Sequence, residues 1–214
     1  MHYLNLLKLW VIYIKLRDSL KKSINYCSKL KKIINEVENI SGRVNKLFPT
    51  YTNHDIHHIE HVEEYANRII PEDIENNLNI DEIFFLLAGI WLHDIMIFLE
   101  NELSEYEDKN LDERKSFEKY VRDNHNIRSE TYINQNNEKL GLNWHEAEII
   151  GKIAKGHRQI NLHEVEDDNY KGSNIRISLL SSILRLADEC HVDETRESVL
   201  SKIGIDKKNY SRLL

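Results

Sequence analysis

The chain has 214 residues, with 36 acidic against 29 basic side chains and a formal charge of −7. That balance excludes a general coat for nucleic acid, which needs a basic surplus to neutralise phosphates, and leaves open only a local basic groove. Two cysteines, Cys27 and Cys190, exclude a disulfide framework or a cysteine-rich zinc module, and 7 Gly with 2 Pro supply too few tight turns for an all-β fold. One all-α domain, or one domain with an added arm, is expected, in a reducing cytoplasm.

Residues 1–47 read as an N-terminal helical arm. Leu20, Ile24, Cys27, Leu30, Ile34 and Val37 recur at three- and four-residue spacing, one stripe of an amphipathic helix. Ser41-Gly42 suggests a break and Phe48-Pro49-Thr50 a loop. The apolar run Leu9–Ile14 is six residues long, against the ~20 of a membrane-spanning helix. Arg17, Asp18 and two lysines follow it, which suits no cleavable signal. The arm is expected to pack on the body or on a second subunit, as a homodimer or with an effector partner. Trp10 and Tyr13, flanked by lysines, make a membrane-surface helix the alternative.

The remainder, 48–214, forms the main domain. A helix is expected from near Asn53, capped by Asn53 or Asp55, with Val62, Ala66, Ile69 and Ile70 inward, ending at Pro71. Ile83–Ile95 carries only His93 and Asp94 as ionisable groups, so it reads as a central buried helix, with Gly89 allowing a neighbour close approach. Residues 100–118 read as a charged surface loop or lid, with helical signals resuming near 117–120 and 127–133. A helix spans Trp144 to about Lys155, with Ala147, Ile150, Ile153 and Ala154 inward. A surface loop covers 167–173, and a second apolar helix runs from Ile175 to Ala187. No strand pattern is evident.

Chemistry enters where ionisable groups interrupt these apolar helices. An unpaired buried carboxylate costs several kcal/mol, and a partner or a metal is the usual remedy. His58 shares a helix face with Val62, Ala66 and Ile69. His93-Asp94 ends the driest helix, and Asp188 ends the run from Ile177. Three separate helices therefore bring His or Asp inward, a donor set that suits Mn, Fe, Co, Ni, Zn or Mg.

The order His58 … His93-Asp94 … Asp188 resembles the HD superfamily of metal-dependent phosphohydrolases, whose signature is a His, an adjacent His-Asp pair and a distant Asp. His54-Asp-Ile-His-His-Ile-Glu-His-Val62 is similar to the first signature helix, and its register makes His58 the ligand rather than His54, His57 or His61. Leu87-Ala-Gly-Ile-Trp-Leu-His-Asp-Ile95 and Leu184-Arg-Leu-Ala-Asp-Glu189 resemble the other two. The resemblance covers about 50–196. One departure is Met96, where the family usually has Gly. His125-Asn-Ile-Arg-Ser129 and Gly156-His-Arg158 look most like HD domains attached to bacterial conflict or defence effectors.

The resemblance implies an HD-domain helical bundle in which His58, His93, Asp94 and Asp188 hold one divalent ion and Asp94 bridges to a second. His125 is expected to contact the phosphate or act as leaving-group acid, and His157 to do the same or bind the second metal. Arg128 supplies charge, with Arg158 a further cation, and Asp188 is a candidate general base. Phosphoester hydrolysis by metal-activated water follows, on a nucleotide or related small phosphorylated substrate. Two alternatives stand beside it: a nucleotide-binding regulatory module, suggested by Met96 and the arm, and a nuclease for single-stranded nucleic acid.

Overall fold

The computed structural model describes residues 15–44, 56–71, 77–95, 110–158 and 160–191. Helices α1 (Lys15–Leu20) and α2 (Ile24–Val44) precede α3 (Ile56–Ile69), α4 (Ile80–Leu92) and α5 (Leu111–Gln135). The short α6 (Asn137–Leu140), then α7 (Trp144–Lys155) and α8 (Ile177–Cys190), complete the bundle. A 3-10 turn at Leu162–Glu164 and a hairpin of β1 (Asp168–Tyr170) and β2 (Ser173–Ile175) lie between α7 and α8. Among the described residues no helix is long and apolar enough to cross a membrane.

The bundle is organised around α4. Every residue from Glu82 to Ile95 is buried, because α1, α2, α3, α7 and α8 all pack on this one helix. Its start is fixed by a capping box in which Asn79 and Glu82 satisfy each other's backbone donors. Asn110/Glu113 starts α5 and Asn143/Glu146 starts α7 by the same device. Gly89 faces α7: a Cβ there would lie 2.7 Å from Ile153 Cγ2. Gly89→Ala is therefore expected to overpack this crossing and destabilise the fold by about 1–3 kcal/mol, read by urea unfolding.

The N-terminal helices pack on the body of the same chain. Leu16 and Leu20 of α1, with Tyr26, Leu30, Ile33 and Val37 of α2, belong to the same core as α4. Arg17 clamps both oxygens of the buried Glu63 on α3, at 2.5 and 2.7 Å. Trp91 Nε1 of α4 donates to the same carboxylate at 2.7 Å. Three helices thus meet on one satisfied buried charge.

Several elements differ from the sequence expectation. The turn at Lys21–Ser23 resets the helical phase, so Ile24 is exposed and Ile33 rather than Ile34 lies fully inside. Helix α2 runs through Ser41-Gly42 without a break, as tertiary packing outweighs the ~1 kcal/mol cost of one internal glycine. Residues 111–118, expected as loop, form the first turns of α5, with Asp112, Glu113 and Lys115 exposed. Helix α8 starts at Ile177 and continues to Cys190, which places Asp188 inside its last turn.

The hairpin is an addition to the all-α expectation. Its register pairs Asp168 with Ile175 and Tyr170 with Ser173. Lys171 and Gly172 both take positive φ, 52° and 86°, the two-residue turn that matches strand twist. Strands of three residues are too short to show an alternating pattern. The expected features at Phe48–Thr50, Asn53, Asp55, Met96 and 100–109, and the apolar segment Leu9–Ile14, lie outside the described residues.

Candidate metal centre

Four helices and the turn after α7 direct imidazoles and carboxylates to one point. On α3 the 3.6-residue period places His58 on the buried face with Ile59, Val62 and Ala66, while His57 and His61 are exposed. His93 and Asp94 follow directly from the end of α4. His125 sits mid-way along α5, His157 just past the end of α7, and Asp188 near the end of α8. His58, His93, Asp94, His125 and His157 are all buried, and Asp188 is partly exposed.

The donor atoms fall into two adjacent groups. His58, His93 and Asp188 form the first, and Asp94, His125 and His157 the second, with ligand atoms within 4.8 Å of one another in each. In the first, His58 Nε2 is 3.3 Å from His93 Nε2 and 3.2 Å from Asp188 Oδ1. In the second, His125 Nε2 is 2.9 Å from His157 Nε2. Asp94 stands between them. Its Oδ2 is 3.3 Å from His93 Nε2 and 3.7 Å from His58 Nε2. Its Oδ1 is 3.3 Å from His125 Nε2 and 3.6 Å from His157 Nε2.

The opposite edge of three rings is fixed by one repeated device. His93 Nδ1 lies 2.7 Å from Ile90 O, His125 Nδ1 2.7 Å from Arg122 O, and His157 Nδ1 2.5 Å from Ala154 O. Each carbonyl is three residues back along the chain and accepts only from an Nδ1–H. In a neutral ring that leaves Nε2 as a bare lone pair. The His125 and His157 Nε2 atoms then meet lone pair to lone pair, which a cation between them resolves. Burial, tautomer and donor type thus all fit a divalent metal.

The electrostatics point the same way. Burial alone would push the His93 imidazole down, but Asp94 and Asp188 outweigh it and raise it to about 9. The two carboxylates thus make the centre attractive to positive charge. Burial, reinforced by His93, pushes His157 down to about 3. Burial also lowers His125, with the nearby Arg158 adding to it. Burial would pull the Asp188 carboxyl up, yet the hydrogen bond from His58 and the His93 charge bring it to about 2.

Among the cations, Arg158 Nη1 donates to Arg122 O at 3.0 Å and lies 3.3 Å from His125 Nδ1. The Arg128 guanidinium is stacked 5.7 Å from the Tyr120 ring. Arg185, one turn before Asp188 on α8, donates to the carbonyls of Gly156, Arg158 and Ile160, at 2.7–3.1 Å. It clasps the turn that carries His157. Gly156 makes this turn fit, since a Cβ there would lie 2.4 Å from Ser181 Oγ on α8. No sequence motif announces these two contacts, because both join segments distant along the chain.

A helical bundle with inward His, His-Asp and Asp in that order defines an HD-type domain. The HD-CE family model matches residues 48–213, and the chain belongs to the HD-CE family. No curated protein and no solved structure matches it.

Proposed function

We propose that this protein is a metal-dependent phosphohydrolase that holds two divalent ions bridged by Asp94. The observation that carries the reading is the split of the Asp94 carboxylate, Oδ2 toward His58 and His93, Oδ1 toward His125 and His157. Ions held by these residues would supply a nucleophile from water and offset phosphoryl charge. His58, His93 and Asp188 would complete one ion's protein ligands, and His125 and His157 the other's.

This assignment moves His125 and His157 toward ligation rather than acid catalysis. His157 is 1% exposed, which leaves no surface for a substrate. The Nδ1 of both rings is already committed to a carbonyl. Asp188 is the ligand with solvent access, its side chain 20% exposed, so it marks the open side where substrate and water arrive. Asp188 is therefore our candidate to orient or deprotonate water there. Arg158, partly exposed and beside His125, is the cation best placed for phosphate charge. Arg128, one turn further along α5, is the second candidate.

The substrate we propose is a small phosphorylated molecule, most simply a nucleotide. The net charge of −7 favours a small anion held by ions and one or two arginines over a polymer that needs a basic track. The test combines elemental analysis with hydrolysis assays on nucleotides, cyclic nucleotides and labelled single strands, each with Mn, Fe, Co, Ni, Zn and Mg. Metal-dependent release of product from a small nucleotide supports the reading. Faster cleavage of oligonucleotides at low salt replaces the substrate by single strands. Saturable nucleotide binding without product under any metal replaces the enzyme by a regulatory module.

A further inference from the structure

His191 lies at the C-terminal boundary of α8, three residues beyond Asp188, and its backbone N–H donates to Asp188 O at 3.1 Å. Its ring reaches across to α3. His191 Nδ1 is 2.8 Å from His58 Nδ1. His61 lies flat against it, with ring centroids 5.0 Å apart and planes 13° from parallel. Tyr65 flanks it at 6.5 Å. His58, His61 and Tyr65 stand at i, i+3 and i+7, one face of α3, so a single helical stripe receives this one ring. The His61 ring is itself tied down, its Nδ1 2.7 Å from His57 O.

His58 differs from the other three histidines of the centre. His93, His125 and His157 each turn Nδ1 to a backbone carbonyl, whereas the Nδ1 of His58 meets the Nδ1 of His191. A carbonyl enforces one tautomer, because it only accepts. An imidazole nitrogen either accepts or donates. When His58 offers Nε2 to a metal, its Nδ1 must carry the proton and the partner must accept it. When Nε2 instead donates to Asp188, 3.2 Å away, Nδ1 is bare and the partner must donate.

We infer that His191 is a positioning residue for the first metal group: it accepts the Nδ1–H of His58 and so holds His58 Nε2 bare and aimed at the ion, while its ring pins the end of α8 that carries Asp188 onto α3. This inference rests on the metal reading above. His61 and Tyr65 are the shelf that keeps the ring in place. The role requires an acceptor at the δ position. Asn meets that requirement, since its amide ends where Nδ1 stands. Gln puts its amide one bond too far, and Phe keeps the stacking but has no acceptor.

The test is metal binding by the full chain, with Mn and Zn as separate probes, in wild type and in His191→Asn, His191→Gln and His191→Phe. His191→Phe is expected to weaken one bound ion, that of the His58, His93 and Asp188 group, by about 10–100-fold, the range seen when a ligand's outer partner is lost. His191→Asn is expected to restore affinity to within a few-fold of wild type, and His191→Gln is not. Thermal unfolding of each metal-free variant measures the fold separately. Equal affinity in His191→Phe and wild type overturns the assignment, as does equal loss in the Asn and Phe variants. Failure of wild type to take up either metal overturns the metal reading itself, which keeps the two failures distinct. A ¹⁵N spectrum of the metal-loaded wild type should show His58 protonated at Nδ1, and a proton at Nε2 would also overturn the role.

Discussion

Asp94→Ala is expected to abolish turnover and to lower metal affinity by more than about a hundredfold, a larger loss than removing an outer partner gives. The helical content should not change, because Asp94 lies just beyond the end of α4. The two oxygens of Asp94 face the two donor groups separately, so its loss should empty both. His157→Ala makes the contrast. His157 belongs only to the second group, and its removal should lower the metal count from two ions per chain to one. Elemental analysis after dialysis reads both outcomes. Retention of two ions in Asp94→Ala would sink the bridging role, and loss of both ions in His157→Ala would show a single coupled site.

The bundle and the donor set were legible in the sequence for one reason. Burial imposes a period, and a charged residue that keeps the period is conspicuous. His58 falls on the stripe of Val62 and Ala66, and His93-Asp94 ends a run with no other ionisable group. The same logic mis-phased the N-terminal helices, since the turn at Lys21–Ser23 is made of ordinary residues and carries no Gly or Pro to announce it. The capping boxes Asn79/Glu82, Asn110/Glu113 and Asn143/Glu146 are local signals present in the sequence. Asparagine is so frequent in this chain that an Asn alone does not single out a helix start.

Contacts between distant segments were not legible. Nothing local links Arg185 to the carbonyls of the His157 turn, or His191 to His58, which lie 133 positions apart. Arg128, three residues after His125, stacks on Tyr120. Arg158 reaches His125 from another element.

A second buried carboxylate shows how a structural acid differs from a metal-binding one. The Glu146 side chain is fully buried, as deeply as Asp94. Lys29 Nζ contacts both of its oxygens at 2.7 and 2.5 Å, Tyr170 OH donates at 2.7 Å, and the Asn143 backbone N–H at 3.0 Å. Glu146 is surrounded by hydrogen-bond donors from α2, α7 and β1, whereas Asp94 is faced by imidazole Nε2 atoms. Glu146→Ala is therefore expected to cost about 3–5 kcal/mol, the cost of breaking a buried pair while leaving its partner in place. Replacing Lys29 and Glu146 together by methionine should recover most of that loss.

The acid dependence has a defined sign. Burial would raise the Glu146 carboxyl, but the hydrogen bonds from Lys29 and Tyr170 outweigh it and hold it below the ordinary glutamate range. Its contribution is therefore present above the unfolded glutamate value, ~4.3, and is lost as pH falls through the lower folded value. Glu146→Gln keeps the packing and removes this dependence. Its stability at pH 7 should fall, and its loss of stability on acidification should be shallower than in wild type, both read by urea unfolding across pH. Added divalent metal stabilises only the folded chain. It should raise the melting temperature of Glu146→Gln and of wild type by similar increments, because Glu146 belongs to neither donor group. Asp94→Ala should gain nothing from metal.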